Sequence, residues 1–390
     1  MTRAFALVAA LLACSRGDPT ERPGSPSREG PPAPVKPPAP DVVRDGRTAA
    51  TCPALPDPVA VRPAPAARRW PLRVAERIAG GNKTSSYRIA RTVPATTGAR
   101  WAGAAYDGGV LWDGPRRVRH FSCGEYGCMP QDATLADDGK TLLIGLIRIE
   151  LASGTATALS GARSAIESAK MNEVTSVAWT PDGALVLAAT HFRPSACCRA
   201  RESTGPAPFD RALVLDGSTG ALVRDLGPAP GFSHSVAASA AQLVAMTKDG
   251  LTAWDRATFT PTLRSEPRAG NTLTFDPAGR WLATVQQGEI TLWRMPDFCP
   301  VARFGDARGE YVHALAFHPT APVLFASTEH TVHAFSLDTP GEELGAAEVT
   351  GGSGAVAQTV DSMAVTADGA LLVVPVYLAD DILFFDVAPP

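Results

Sequence analysis

The sequence lacks a long apolar run, a sustained helical period and an excess of charge of one sign. The apolar stretch near the N-terminus, Ala4–Leu12, is far shorter than the roughly 20 residues that span a bilayer. Nothing from residue 70 onward repeats every 3.6 residues, so we expect little helix. The formal net charge is only −3, with 36 Lys and Arg against 39 Asp and Glu. Taken as a whole, this balance argues against nucleic acid or anionic lipid as the partner.

Several catalytic signatures are also missing. The chain contains no Gly-x-Ser-x-Gly elbow, no phosphate-binding Walker loop and no His-Glu-x-x-His zinc motif. We therefore predict that the protein is not an enzyme and carries no cofactor.

The first fourteen residues have the layout of an export signal. A short positive start, Met1–Arg3, precedes the apolar stretch, and the tetrad Leu11-Leu12-Ala13-Cys14 closes it. This tetrad resembles a bacterial lipobox, which implies cleavage after residue 13 and acylation of Cys14. By the same resemblance, Ser15 implies an outer-membrane lipoprotein. The alternative is an ordinary signal peptide with an incidental cysteine.

Proline is abundant in the segment that follows. Fifteen of the 35 prolines lie between residues 15 and 71. Such a composition cannot bury enough apolar surface to offset the entropy of ordering. We predict a disordered, extended tether over residues 14–69.

From residue 70 to 390 the chain repeats one unit: an alternating strand, a turn rich in Pro, Asp and Gly, and a second apolar strand. The copies are Val174–Gly183, Thr272–Gly279, Val312–Pro319, Asp361–Gly369 and the weaker Asp132–Gly139. A third strand then ends in an aromatic or aliphatic residue, often followed by Asp, as in Trp112-Asp113, Leu215-Asp216, Trp254-Asp255 and Phe385-Asp386.

These residues resemble the WD-repeat family. Equivalent aromatic positions recur about every 40 residues, the length of a four-stranded propeller blade. The Gly-His pair of that family is approached only at Gly231–His234. The resemblance implies an all-β, seven-bladed β-propeller of four-stranded antiparallel blades, seven plus or minus one. The chain stops after Phe385-Asp386, so we predict that Leu72–Ile78 supplies the last outer strand and closes the ring.

Besides Cys14 the chain has six cysteines, an even number that favours disulfides in an exported protein. Cys123 and Cys128 close a small loop and are the best local candidates. Cys197 and Cys198 could bridge each other or pair elsewhere, and Cys299 could reach Cys52 on the tether. His191 with Cys197 and Cys198 could bind a metal, but oxidation to a disulfide is the better expectation.

Two departures from the repeat define a candidate recognition patch. One is the Cys123–Cys128 loop, and the other is the long insertion over residues 190–210. In the propeller expected here, both lie on one face, and long insertions on rigid scaffolds concentrate binding residues. The candidate binding residues are Tyr126, Phe192, Arg193, Arg199 and Arg201. The alternative is a disulfide-pinned loop without a partner.

The other titratable residues are expected at positions without a functional role. His318 and Asp276 precede turn residues and are expected at exposed strand ends, whereas His313, His330 and His333 are expected at the surface or rim. Asp380 and Asp381 are expected to be solvated, although they could join a calcium site. The innermost strands offer Val, Ala, Thr, Ser and Leu rather than a ring of metal-binding or catalytic groups.

Together these features predict a non-catalytic scaffold that binds another protein of the cell envelope and is held at the outer membrane by Cys14. An alternative hypothesis is that the protein is an exported enzyme, or a sensor for a small ligand or metal, that uses the central channel. A third reading is a structural part of an envelope assembly.

Overall fold

The computed structural model describes most of the chain from Cys52 to Pro389. The residues outside the description after Cys52 are 53, 82–88, 90, 95–97, 106, 124–132, 137–139, 170–172, 192–210, 229–234, 248–249, 265–269, 287, 306–310, 350–359, 361, 377–380 and 390. The predicted signal peptide, Cys14 and the tether up to residue 51 lie outside it as well.

Two strands precede the first blade, β1 (Arg62–Pro63) and β2 (Arg73–Ile78), with a single 3-10 turn between them at Ala66–Arg68. Blade one contains β3 (Arg91–Pro94), β4 (Arg100–Ala105), β5 (Gly108–Asp113) and β6 (Arg116–Ser122). Blade two contains β7 (Ala133–Leu135), β8 (Thr141–Ile144), β9 (Ile147–Glu150) and β10 (Ala156–Ala158), followed by the helix α1 (Ser160–Ser168).

Blade three contains β11 (Glu173–Trp179), β12 (Leu185–His191), β13 (Arg211–Asp216) and β14 (Leu222–Pro228). Blade four contains β15 (Ser235–Ala238), β16 (Gln242–Thr247), β17 (Gly250–Asp255) and β18 (Pro261–Arg264). Blade five contains β19 (Gly270–Phe275), β20 (Trp281–Gln286), β21 (Glu289–Arg294) and β22 (Cys299–Gly305).

Blade six contains β23 (Ala314–Phe317), β24 (Val323–Ser327), β25 (Thr331–Ser336) and β26 (Glu342–Glu348). Blade seven contains β27 (Ala364–Val365), β28 (Leu371–Val376) and β29 (Asp381–Asp386). Within each blade consecutive strands pair antiparallel, which gives seven separate sheets in all.

The seven sheets form a ring. The innermost strand of each blade contacts the innermost strand of the next, and β27 contacts β3 to complete the circle. Seven apolar clusters lie between the sheets, one at each junction of neighbouring blades. Each sheet therefore buries both of its faces against its neighbours, which an isolated sheet of this size cannot do. The fold is a seven-bladed β-propeller.

The predicted closing strand is confirmed. β2 pairs antiparallel with β29 and becomes the outer strand of blade seven. Blade seven thus combines three strands from the end of the described chain with one from its beginning. This pairing covers the edge of β29, which would otherwise leave its backbone groups open to association.

The segment from Cys52 to Leu72, here called the strap, is ordered on the outside of blades five and six. Val59 donates its backbone N–H to the Arg303 carbonyl (2.7 Å), and β1 pairs parallel with β26. Trp70 is 8% exposed and donates its backbone N–H to the Leu344 carbonyl (2.8 Å). The predicted tether boundary at residue 69 is therefore wrong, because the propeller begins at the strap.

The turns that join the first and second strands are stabilised in the same way in blades three and seven. In blade three the Thr180 hydroxyl bonds the Asp182 carboxylate (2.7 Å) and accepts the Leu185 N–H (3.0 Å). In blade seven the Thr366 hydroxyl bonds Asp368 (2.6 Å) and accepts the Leu371 N–H (3.0 Å). Both threonines are fully buried.

Blades five and six use other residues at this position. The Asp276 carboxylate accepts the Arg280 N–H, and the His318 Nδ1 accepts the backbone N–H groups of Thr320 and Ala321. Asp276 and His318 are 2% and 1% exposed, so the prediction of exposed strand ends is wrong. Their side chains turn inward to satisfy the backbone of the turn.

Helix is scarce, as predicted, and α1 is the single α-helix in the described part of the chain. Its buried residues Ala162, Ala165 and Ile166 pack in the cluster between blades two and three. Over the same residues, no helix is both long and apolar enough to cross a membrane.

Candidate binding surface

We define the upper face as the end of the ring at which the innermost strands begin. Because the strands of a blade alternate in direction, this face also carries the loops between second and third strands. The two segments of the candidate recognition patch leave the blades on this face. The Cys123–Cys128 loop lies between β6 and β7, and the long insertion lies between β12 and β13. The candidate residues Tyr126, Phe192, Arg193, Arg199 and Arg201 themselves lie outside the described residues.

The base of the blade-three insertion is rigid. β12 and β13 remain paired up to Thr190 and Arg211, and the Thr190 hydroxyl donates to the Arg211 carbonyl (3.1 Å). The Arg211 guanidinium forms an ion pair with Asp225 on β14, which in turn accepts the Gly227 N–H (2.9 Å). The insertion over residues 192–210 therefore starts and ends on a fixed stem.

A similar ion pair occurs in two other blades, with the arginine on the outer strand and the acid on the third strand. Arg303 on β22 pairs with Glu289 at the start of β21, and Arg77 on β2 pairs with Asp381 at the start of β29. Each pair ties the beginning of the third strand to the outer strand, at the base of an upper-face loop. Sequence reasoning missed these pairs, because Arg77 and Asp381 lie 304 residues apart and Arg303 and Glu289 lie on different strands.

Asp381 also accepts the Gly80 N–H at 3.1 Å and is 3% exposed. The prediction that Asp381 is a solvated turn residue is therefore wrong. Its partner in that prediction, Asp380, lies outside the described residues.

The cysteine predictions divide into three outcomes. Cys52 is joined to Cys299 with their Cα atoms 5.2 Å apart, which confirms that pairing. Cys123 is buried and disulfide-bonded, while its predicted partner Cys128 lies outside the described residues. Cys197 and Cys198 also lie outside them, so the vicinal bridge stays a prediction.

Blade six contributes a second group of side chains to the upper face. Tyr311, just before the innermost strand, is 66% exposed. His330 and Glu329, in the loop between the second and third strands, are about half exposed, with His330 Nε2 3.8 Å from the Glu329 carboxylate. His313 lies beside this loop, since its backbone N–H bonds the Ser327 carbonyl (2.9 Å). An exposed tyrosine among polar side chains is typical of a protein-binding surface.

The histidines of blade six differ from their predicted placement in one case. His330 is half exposed and His313 half buried, as expected for the surface and rim. His333 is 5% exposed, and its Nδ1 lies 2.6 Å from the Glu343 carboxylate. The prediction for His333 is wrong, because β25 has a paired strand on each side and the His333 ring stacks on Phe335 with the ring centroids 5.8 Å apart.

Short polar side chains on the first and second strands join neighbouring blades. The Ser176 hydroxyl accepts the Val236 N–H (3.3 Å), the Thr272 hydroxyl donates to the His313 carbonyl (3.0 Å), and the Ser327 hydroxyl donates to the Val360 carbonyl (3.2 Å). Among the described residues, no group of three or more His, Cys, Asp or Glu could hold a metal ion.

One tryptophan makes a side-chain hydrogen bond to the neighbouring strand of its own blade. In blade five, the Trp293 indole N–H donates to the Thr284 hydroxyl on the adjacent strand (3.0 Å). In blades one and three, the indoles of Trp101 and Trp179 instead donate to the backbone carbonyls of Gly114 and Gly145.

Comparison with known proteins supports the architecture. No protein-family model matches the chain, and no curated protein matches it in sequence. Among solved structures, it is similar to the β-propeller domain of Cps50 (Swd1) from Myceliophteria thermophila. The likeness is one of fold. The TM-score is 0.60 at 17% identity, over 82% of this chain and 100% of the other.

Proposed function

We propose that this chain is a non-catalytic scaffold, a WD-repeat-type propeller that binds another protein of the cell envelope on its upper face. The observation that carries the proposal is the fixed stem of the blade-three insertion, on the same face as the exposed Tyr311. A rigid ring that presents long loops is a construction suited to recognition.

A cross-linking experiment tests the choice of face. A photoreactive amino acid replaces Tyr311 on the upper face or, as the control, Val223 on the outer strand of blade three. Both side chains are exposed, by 66% and 44%. We expect one defined cross-linked protein from position 311 in intact cells and none from position 223. The same products from both positions would contradict an upper-face interface.

A loop replacement tests the insertion. Residues 192–210 are exchanged for a short turn that contains glycine, and the stem from Thr190 to Arg211 is kept. We expect the cross-link from position 311 to be lost while the melting temperature stays nearly unchanged, because the stem carries its own hydrogen bonds and ion pair. A retained cross-link would remove the insertion from the interface.

We also propose that Cys14 is acylated and holds the protein at the outer membrane. The support is the lipobox-like tetrad Leu11–Cys14 followed by Ser15. Several acyl chains, each buried CH₂ contributing about 0.8 kcal/mol, suffice for stable anchoring. Mass spectrometry of the N-terminal peptide should find a lipid on Cys14, and Cys14→Ser should abolish it. An unmodified Cys14 in the purified membrane fraction would contradict this proposal.

The channel-based alternative has a simple test. If the protein were a sensor or enzyme that binds a divalent metal, that metal would raise its melting temperature by mass action. We expect no rise with Zn²⁺ or Ca²⁺. A saturable rise would favour the alternative over the scaffold.

A further inference from the structure

Positive charge is concentrated in one part of the chain. Residues 52–122 contain twelve Lys and Arg against four Asp and Glu, a formal charge of +8, whereas the whole chain carries −3. The overall balance therefore conceals a strongly basic sector. This sector comprises the strap, β2 and blade one.

The fold places several of these residues on adjoining outer edges. β1 lies on the outer strand of blade six, β2 is the outer strand of blade seven, and β6 is the outer strand of blade one. Blades six, seven and one follow one another around the ring, because β23 contacts β27 and β27 contacts β3. We call the exposed arginines along these edges the basic rim: Arg62, Arg69, Arg73, Arg116 and Arg117.

The arginines of the basic rim differ from their neighbours in their contacts with the described residues. None of the five has an ion-pair partner in the part of the chain that the structure describes. Nearby arginines do have internal roles: Arg68 pairs with Glu342, Arg77 pairs with Asp381, and Arg119 bonds three backbone carbonyls of blade two. The contrast leaves the rim charges available to an external anion.

Two exposed valines stand among these arginines. Val74, next to Arg73, is 49% exposed, and Val118, next to Arg117, is 44% exposed. Exposed acids also lie along these edges. Glu76 is on β2 and Glu348 on β26, while Asp386 lies opposite Arg73 and Asp113 opposite Arg116 in the strand register. Arginines spread over three blade edges, with apolar side chains between them, suit an extended anionic surface with an apolar interior.

We propose that the basic rim rests on an anionic lipid surface and holds the propeller edge-on. A bilayer fits better than an acidic protein because the charges are strung along convex edges rather than gathered in a pocket. The rim also begins at the strap, the part of the propeller nearest in sequence to the proposed lipid anchor. The contact requires anionic headgroups but does not require acylation of Cys14, so the two proposals can fail separately.

Vesicle binding tests the inference. The full chain carrying Cys14→Ser is mixed with vesicles of phosphatidylglycerol and phosphatidylcholine, or of phosphatidylcholine alone. Every protein has the same N-terminus, so the difference between the two vesicles reports charge. We expect preference for the anionic vesicles at about 0.1 M salt and its loss at about 1 M salt, where the Debye length falls to about 3 Å.

Two triple variants locate the contact. The rim variant is Arg73→Gln, Arg116→Gln and Arg117→Gln. The control variant is Arg163→Gln, Arg224→Gln and Arg294→Gln, which removes the same charge from exposed positions elsewhere. Each arginine near an anionic membrane contributes about fivefold, so the rim variant should bind about 100-fold more weakly and the control should change little. Both variants should melt as the parent does.

Three outcomes would overturn the inference. One is equal binding of the parent to both kinds of vesicle. Another is equal weakening by the rim and control variants. The third is a parent that ignores anionic vesicles while an acidic protein binds and protects the rim from chemical modification of arginine.

Discussion

At the scale of single residues, four turns between first and second strands, on the lower face opposite the upper face, each rely on one buried polar side chain. Thr180, Asp276, His318 and Thr366 differ in chemistry but all satisfy backbone N–H groups of their turns. A buried N–H without a partner costs about 1–3 kcal/mol. The identity of this residue therefore matters to stability although it lies far from the candidate binding surface.

Thr180→Val should lower the free energy of unfolding by about 1–3 kcal/mol, because it keeps the shape but removes the hydroxyl that serves Leu185 and Asp182. Urea denaturation measures the change. Thr366→Val should behave alike, since the geometry repeats in blade seven. Thr157→Val, on an exposed strand position, is the control and should stay within about 0.5 kcal/mol. Equal effects at 157 and 180 would contradict the argument.

The same hydroxyl affects an acid. Burial opposes ionisation of Asp182, but hydrogen bonds from Arg256, Thr180 and the Ala184 N–H outweigh it and lower the pKa to about 2. Thr180→Val should therefore raise the pKa of Asp182 as well. Carboxyl chemical shifts followed by NMR during an acid titration would show it, and an unchanged pKa would remove the hydroxyl from this network.

His318 should make the stability depend on pH. Burial lowers its pKa below the usual 6.5, against the raising effect of hydrogen bonds to the backbone of Gly369 and Val387. Below about pH 6.5 the His318 side chain takes up a proton in the unfolded chain but not in the folded chain. The free energy of unfolding should therefore fall on acidification, by at most about 1.4 kcal/mol per pH unit.

His318→Asn should remove this contribution, since an amide can accept the turn N–H groups but does not titrate. Urea denaturation between pH 5 and 8 (about one pH unit on either side of an ordinary histidine pKa) compares the slopes. His330→Gln, at a half-exposed position, is the control and should keep the slope of the parent. A slope that survives in His318→Asn would assign the pH dependence to another group.

At the scale of elements, the blades were predictable and the strap was not. The sequence signals of each blade are local. The alternation of apolar and polar residues and the turns of Pro, Asp and Gly all lie within one stretch of about 40 residues. The strap has few residues that build a core and is held by distant partners such as Arg303 and Leu344. Its proline content suggested disorder, whereas its backbone N–H groups bond the edges of blades five and six.

The candidate site was predictable only in position. Sequence reasoning placed the Cys123–Cys128 loop and the long insertion on one face, because the order of the strands in a blade determines at which end of the ring each loop lies. It could not find the ion pairs at the loop bases, since Arg211 and Asp225 lie on different strands and Arg77 and Asp381 at opposite ends of the chain. Nor did it single out Tyr311, whose exposure depends on where β23 begins.

The disulfide should hold the strap at its first point of contact. Replacing both Cys52 and Cys299 by Ser should lower the free energy of unfolding by about 2–4 kcal/mol, because the cross-link constrains a long loop of the unfolded chain. Urea denaturation under oxidising conditions measures this loss. Hydrogen exchange should also quicken at Val59, whose N–H bonds Arg303, more than at Trp70. No change in either quantity would show that the remaining strap contacts suffice.

At the scale of the whole molecule, the ring is closed by chain segments from its two ends. The cluster between blades seven and one contains Trp101, Trp112 and Phe384, and the Trp101 and Trp112 rings stack 5.3 Å apart. Every blade thus has two neighbours, and the loss of one junction exposes both of its sides. A closed ring of this kind should unfold as one unit, in contrast to an open repeat array whose ends can fray.

A series of truncations separates the strap from the closing strand. Removal of residues 1–51 should leave a single transition in which far-ultraviolet circular dichroism and tryptophan fluorescence coincide. Removal of residues 1–71 deletes all of the strap except Leu72 but keeps β2, so stability should fall while the single transition and the monomer remain. Removal of residues 1–79 also deletes β2 and bares the edge of β29, which should give association or separate transitions. If this last protein stayed monomeric with one unchanged transition, β2 would not be what closes the ring, and cooperativity would have to come from the junctions of the innermost strands.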